Sequence, residues 1–216
     1  MYENLIIIHS LDNSTQFLSK FKDAFPHKYK FIDEIGNNAD KIKQILGDLE
    51  ERSLIIYLGH GSSEGLYLPD ENNDYKNLFL DVNWGNHFFE NHDIIFLSCN
   101  SNKYIERIFT YHSALGFGNI ISSENELKHH NKYHETQKIL TKEDIDLFNS
   151  IYVNVSINIV QLLINGKIKF QQVYQYYSYF LNKEINTILL NKKLVNRVEI
   201  SRLLFELRNE INFRSK

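Results

Sequence analysis

The chain alternates short, unbroken apolar runs with stretches whose apolar residues recur every three or four positions. Residues 5–8, all apolar, read as a buried strand. Residues 14–25, with Phe17, Leu18, Phe21 and Phe25 at helical spacing, read as a helix that Pro26 ends. A second strand over 29–35 and a second helix over 38–51 repeat the pair, with Ile42, Ile45, Leu46 and Leu49 on one helical face. The clearest strands are Leu54–Leu58 and Asp93–Leu97, continuous apolar runs of the kind buried on both faces of a parallel sheet. Between them, 66–68 and 78–80 flank a polar turn over 69–77 and predict a hairpin, followed by a helix over 81–90. Residues 103–112 predict another helix, and 118–122 another strand.

The last third has a different texture. Thr141 and Asp144 form a helix-start pair, apolar positions continue through Leu163, and Gly166 supplies a stop. Val153, Val155, Ile157 and Ile159 alternate with Asn154, Ser156 and Asn158, which also fits a strand; the length of the segment favours the helix. Residues 173–181 and 194–211 predict two more helices, the second with Val198, Leu204, Leu207 and Ile211 on one stripe. Strands alternating with helices point to an open α/β sandwich with a mostly parallel sheet. The expected organisation is one domain over 1–216: an α/β core to about 165 and a helical C-terminal region, 166–216, packed on it.

Composition narrows the function. Lys and Arg total 24 against 27 Asp and Glu, a net charge of −3, so no positive surplus drives binding to phosphate backbones and a direct nucleic-acid role is not expected. A hydrophobic fraction of 43% with 13% aromatics excludes a disordered chain. The N-terminus lacks the basic start and long apolar run of a signal peptide. No stretch holds the roughly 18 uninterrupted apolar residues of a membrane span, since 151–164 is broken by Asn154, Ser156, Asn158 and Gln161. The expectation is a cytoplasmic protein without a membrane partner. One cysteine excludes internal disulfides and cysteine-based metal cages, but leaves a possible nucleophile.

That cysteine sits in an informative place. Leu54–Leu58 runs directly into Gly59-His60-Gly61-Ser62-Ser63-Glu64-Gly65, and Asp93–Leu97 directly into Ser98-Cys99-Asn100-Ser101. In a parallel sheet both segments lie beyond the carboxyl ends of strands, where open α/β folds bind ligands. A cysteine nucleophile needs a base close by to form thiolate and to protonate the leaving amine. Glycines on both sides of His60 allow a sharp turn and close approach of a substrate. The backbone amides of Gly61 and Cys99 are the natural oxyanion donors. A cysteine after an apolar strand is, taken alone, an ordinary small hydrophobe; the conjunction of the two segments is what favours catalysis.

At these residues the sequence resembles the caspase-like cysteine peptidases, most closely their bacterial CHAT-type branch. The resemblance is carried by residues 54–68 and 93–101, with His60 and Cys99 39 positions apart in the family's order, and by Ser98 and Ser101 as the small residues flanking the cysteine. It implies a three-layer sandwich with a mostly parallel central sheet, and a cysteine endopeptidase with His60 as general base, Cys99 as nucleophile and the Gly61 amide in the oxyanion hole. It further implies a substrate wall on a strand over 120–126, where Ser122, Ser123, Glu124 and Glu126 would line the pocket and Glu124 or Glu126 would receive a basic side chain, against the plainer reading, which is favoured, of two solvated loop carboxylates. No paired arginines lie near either motif, Arg107 falls on the helix after Cys99, and the preferred substrate residue stays open. The family implies a protein or peptide substrate, latency until processing, oligomerisation or binding of an activating partner, and, for CHAT-type relatives, a stress or antiviral defence setting. The alternative reading is an inactive caspase-like or nucleotide-type ligand-binding signalling module in which Cys99 is buried and inert.

Three further signals carry less weight. His130 and His134 stand at helical i, i+4 spacing but lack a metallopeptidase Glu, so neither a metal nor any other cofactor is expected. Residues 59–65 are glycine-rich without the Lys-Ser/Thr ending of a phosphate-binding loop. Tyr174, Tyr176, Tyr177, Tyr179 and Phe180 lack interleaved Arg or Lys and read as packing, not as a base-stacking platform.

Overall fold

The computed structural model describes residues 2, 4–33, 38–71, 75–133 and 137–216. Six strands form one sheet: β1 (Leu5–Ser10), β2 (Tyr29–Ile32), β3 (Leu54–Leu58), β7 (Asp93–Leu97), β8 (Ser113–Gly116) and β9 (Asn212–Ser215), in the order β2-β1-β3-β7-β8-β9. All neighbours run parallel except β9, which pairs antiparallel with β8. Three short strands, β4 (Gly61–Ser62), β5 (Gly65–Tyr67) and β6 (Leu78–Asp81), make a small antiparallel sheet between β3 and β7 in the chain.

Alternation along the strands divides the interior in two. Leu5, Ile7, Leu54, Ile56, Leu58, Ile95 and Leu97 face one core, closed by α1 (Lys20–Ala24), α6 (Lys142–Ile164), α7 (Val173–Leu190) and α8 (Arg197–Asn209). Ile6, Ile8, Ile55, Tyr57, Ile94 and Phe96 face the other, closed by α2 (Ala39–Gly47), α3 (Val82–Phe88) and α4 (Ser101–Arg107). Helices on both faces of a mostly parallel sheet account for the continuously apolar strands.

Several predicted elements shift. The expected helix over 14–25 is a 3₁₀ turn, Gln16–Ser19, followed by the five-residue α1, because Asp12 and Thr15 hold the preceding chain in a side-chain-bonded turn. The strand expected over 118–122 is β8 at Ser113–Gly116 instead. Gly116 explains the displacement: a Cβ there would lie 2.5 Å from the Ser101 carbonyl, so a glycine must stand where α4 crosses the strand. Residues 120–123 are irregular, and α5 (Glu124–Tyr133) begins where the substrate wall was expected as a strand. The ambiguous segment is the helix α6, with the Thr141–Asp144 capping box formed and Gly166 left-handed at φ 64°. By length and composition α6 is apolar enough to cross a membrane, yet it carries core residues such as Ile145, Phe148, Tyr152 and Ile159. The C-terminal region is helical as expected, but its last strand, β9, had no sequence signal and completes the sheet. Residues 34–35 of the second predicted strand and 72–74 of the predicted turn lie outside the described residues.

His9 on β1 is fully buried, with Nδ1 2.5 Å from the Tyr29 hydroxyl, and burial lowers its pKa to about 4. The folded value lies below the ordinary value near 6.5, so its contribution is present above that pH and is lost as pH falls toward 4. Between pH 7 and pH 5 this group should cost about 2 kcal/mol of unfolding free energy. Urea titrations should show that loss in the wild type and its absence in His9→Gln; equal losses in both would refute the assignment.

Candidate active site

Parallel register sets the site. Ile7, Ile56 and Ile95 lie side by side, as do His9, Leu58 and Leu97, so β1, β3 and β7 end together. The chain leaves them as Leu11-Asp12, Gly59-His60 and Ser98-Cys99, three loops on one edge beside the β1/β3 position where strand order reverses. Gly59 makes the exit from β3 possible: its φ is 147°, and a Cβ would lie 2.8 Å from Ser10 Cβ. Gly61 brings the His60 loop against the Cys99 loop, where a Cβ would lie 2.7 Å from Ser98 Oγ and 3.0 Å from the Cys99 carbonyl oxygen. The buried Tyr57 hydroxyl, 2.7 Å from the Tyr67 carbonyl and 3.1 Å from that of His60, fixes the hairpin over the loop.

His60 is 7% exposed and held by a residue to which its sequence neighbours give no clue. Its Nε2 lies 2.7 Å from Ser14 Oγ and 3.2 Å from Asp12 Oδ2. Ser14 Oγ donates its single proton to Asp12 Oδ1 at 2.7 Å, so it can only accept from His60; Nε2 therefore carries the proton and Nδ1 keeps the lone pair. Asp12, 4% exposed, also accepts from the amides of Ser14 and Thr15 at 3.0 Å and of Asp70 at 3.3 Å. Burial pushes the Asp12 carboxyl up, but hydrogen bonding and charge from His60, with Ser14 and the Asp70 amide, outweigh it and hold the group well below the usual carboxylate range. The Tyr75 ring packs on the imidazole with centroids 4.4 Å apart. A carboxylate behind a histidine fixes its tautomer and makes the opposite nitrogen a better base.

Cys99 is held by the loop that follows it. Ser101, completely buried, donates to the Ser98 carbonyl at 2.7 Å and accepts from the Phe117 amide at 2.9 Å, while the Asn100 amide donates to the Gly118 carbonyl at 2.9 Å. Asn100 takes the left-handed conformation, φ 54°, which turns the chain from β7 into α4. The partly buried thiol donates to the Ile120 carbonyl at 3.4 Å and makes no hydrogen bond to His60. Burial, and after it the Glu126 carboxylate, push the thiol well above its ordinary value, so at neutral pH it is protonated.

His60 and Cys99 nevertheless share a space. Both line a cavity of about 20 Å³, together with Ser98, Ile120, Ser122, Glu126 and Tyr152. Two grooves adjoin it: one of about 370 Å³ shares Phe17 and Ser122 with the cavity, and one of about 840 Å³ shares Glu126. The expected pocket carboxylates are divided between the grooves. Glu124 lines the smaller beside Lys142, whereas Glu126 lines the larger with Glu210 and accepts from the Ser122 amide at 2.7 Å, from Ser122 Oγ at 2.8 Å and from Ser123 Oγ at 3.3 Å. Glu124 and Glu126 therefore do not form one acidic floor. Arg107 pairs with Glu64 at the surface.

Sequence reasoning missed Asp12 and Ser14, the latter read only as the start of a helix; Asp-x-Ser-Thr after a strand signals side-chain capping, and nothing local joins it to a histidine 48 residues away. His130 lies on α5, His134 falls outside the described residues, and no group of three or more metal-ligating side chains occurs among the described residues.

The depressed Asp12 carboxyl contributes stability above the ordinary carboxylate pKa near 4 that is lost as pH falls through the folded value. In acid titrations followed by circular dichroism, the wild type should keep losing stability below pH 4, where the His9 contribution is already spent. Asp12→Asn should be less stable at pH 7 and show a shallower loss below pH 4; parallel curves would refute the network. Compared with protein-family models, curated proteins and solved structures, the chain finds no match in any of the three.

Proposed function

We propose that this chain is a caspase-like cysteine endopeptidase that hydrolyses peptide bonds of a protein substrate through Cys99 and His60. One observation carries the reading: an imidazole oriented by a buried carboxylate and the chain's single thiol line one cavity at the carboxyl edge of adjacent parallel strands. The family resemblance at residues 54–68 and 93–101 supports it. In the reaction, Cys99 gives its proton to His60 Nδ1, and sulfur attacks the scissile carbonyl carbon while the C=O electrons move to oxygen. Collapse breaks the C–N bond, and the leaving amine takes the proton from His60. Water then cleaves the thioester with His60 as base. The Gly61 and Cys99 amides are the backbone donors in this scheme.

The protonated thiol, bonded to Ile120 and not to His60, fits an enzyme at rest, consistent with activation by a partner or by oligomerisation. A free thiol suits the reducing cytoplasm. The same partly buried, protonated thiol favours a second reading, an inert Cys99 within a caspase-like or nucleotide-type binding module.

A digest of a diverse peptide library, read by mass spectrometry, separates the two. The wild type should cut, and Cys99→Ala and His60→Ala should each lower the rate at least about 10³-fold with the fold retained; full cleavage by either variant overturns the peptidase. No Cys99-dependent cleavage leaves a latent enzyme awaiting its activator or the binding module, and a thiol that iodoacetamide alkylates only after denaturation favours the module.

A further inference from the structure

Ser98 and Tyr152 are each 1% exposed, both line the cavity shared by His60 and Cys99, and neither side-chain hydroxyl has a hydrogen-bond partner among the described residues. Buried hydroxyls without partners are costly, and two on residues that line one cavity point to an acceptor that the described residues do not provide. The cavity sets the acceptor's size. At about 20 Å³ it exceeds the roughly 10–15 Å³ that a single water-sized group requires. An oxygen atom fits.

Position selects which oxygen. Ser98 precedes the nucleophile, and its Oγ stands 2.7 Å from where a Cβ of Gly61 would be, against the backbone that follows His60. Resting on the peptidase reading above, we propose that the Ser98 hydroxyl donates to the oxygen of the scissile carbonyl as Cys99 attacks, a side-chain member of the oxyanion hole beside the backbone amides. As the C–S bond forms and the C=O electrons move to oxygen, the Ser98 proton stays on Oγ and is shared with the developing oxyanion; it is not transferred. The bond is strongest when the charge is greatest, so it acts on the chemical step more than on substrate binding. Tyr152, on α6, is the second unpartnered hydroxyl of the same cavity and makes its wall still shorter of acceptors.

The test exploits the missing partner. A hydroxyl with a structural role loses a hydrogen bond on deletion and lowers stability, whereas Ser98→Ala removes a group with nothing to lose. On the library peptide cut by the wild type, Ser98→Ala should lower kcat at least tenfold with KM within about twofold, and its Tm should equal or exceed the wild-type value. A peptide aldehyde of the same sequence, which forms a tetrahedral adduct with Cys99, should bind at least tenfold more weakly to Ser98→Ala, while the matching peptide alcohol should bind equally to both. Wild-type kcat in Ser98→Ala, or equal losses for aldehyde and alcohol, overturns the assignment while leaving the peptidase intact. If the wild type shows no Cys99-dependent cleavage of any peptide, the peptidase reading fails and the assignment is overturned with it.

Discussion

The parallel register of β1, β3 and β7 is the constraint on which everything else rests. Strands that begin in register and run five or six residues must also end together, and their continuously apolar sequences allow no slip without moving polar loop residues into two dry cores. Asp12, His60 and Cys99, spread over 87 positions, are gathered on one edge by this alone. The loops then need only local devices: a glycine of φ 147° after β3, a left-handed Asn100 after β7, and a bonded turn at Asp12 after β1. The scaffold sets the distances and the loops set the directions.

The two halves of the site differ in how fully they are satisfied. On the His60 side every oxygen of the Asp12 carboxylate is occupied, and the network leaves one nitrogen, Nδ1, with a lone pair. On the Cys99 side the thiol rests on a backbone carbonyl beside a carboxylate, and two hydroxyls lack partners among the described residues. Low dielectric sharpens both conditions: it rewards the closed network and penalises the open one. The closed His60 network and the open Cys99 side meet at one cavity.

How much of this could be read from sequence depends on range. Strands β3 and β7 were legible to the residue, because an apolar run ending in Gly-His-Gly or Ser-Cys has little freedom in where it stops. His60 and Cys99 followed from those ends. Asp12 did not, because its role arises from the β1–β3 pairing and not from its neighbours. The strand near Cys99 was displaced because Ser113–Gly116 is small and weakly apolar, chosen for the close passage of Ser101, while Ile120 and Ile121 look more like a strand yet serve as an irregular segment that brings a carbonyl to the thiol. Strand β9 was invisible for a related reason: a short, half-exposed edge strand of Asn, Phe, Arg and Ser gains its structure from pairing with β8.

That late strand changes the meaning of the C-terminal third. Tyr152 comes from α6 and lines the cavity, Asn149 of the same helix donates to the Ser122 carbonyl at 2.9 Å, and Glu210 at the end of α8 accepts from the Asn119 amide at 2.8 Å. Each contact holds part of the segment 118–123 that delivers Ile120 to the thiol. Gly118 is a glycine because a Cβ there would run into the Glu210 carboxylate, so the segment and the C-terminal helix have been fitted to each other. The helices after residue 140 are therefore more than a lid on a finished α/β core. Tyr152 of α6 closes one side of the cavity beside Cys99, and Asn149 and Glu210 hold the irregular stretch that carries the Ile120 carbonyl to the thiol.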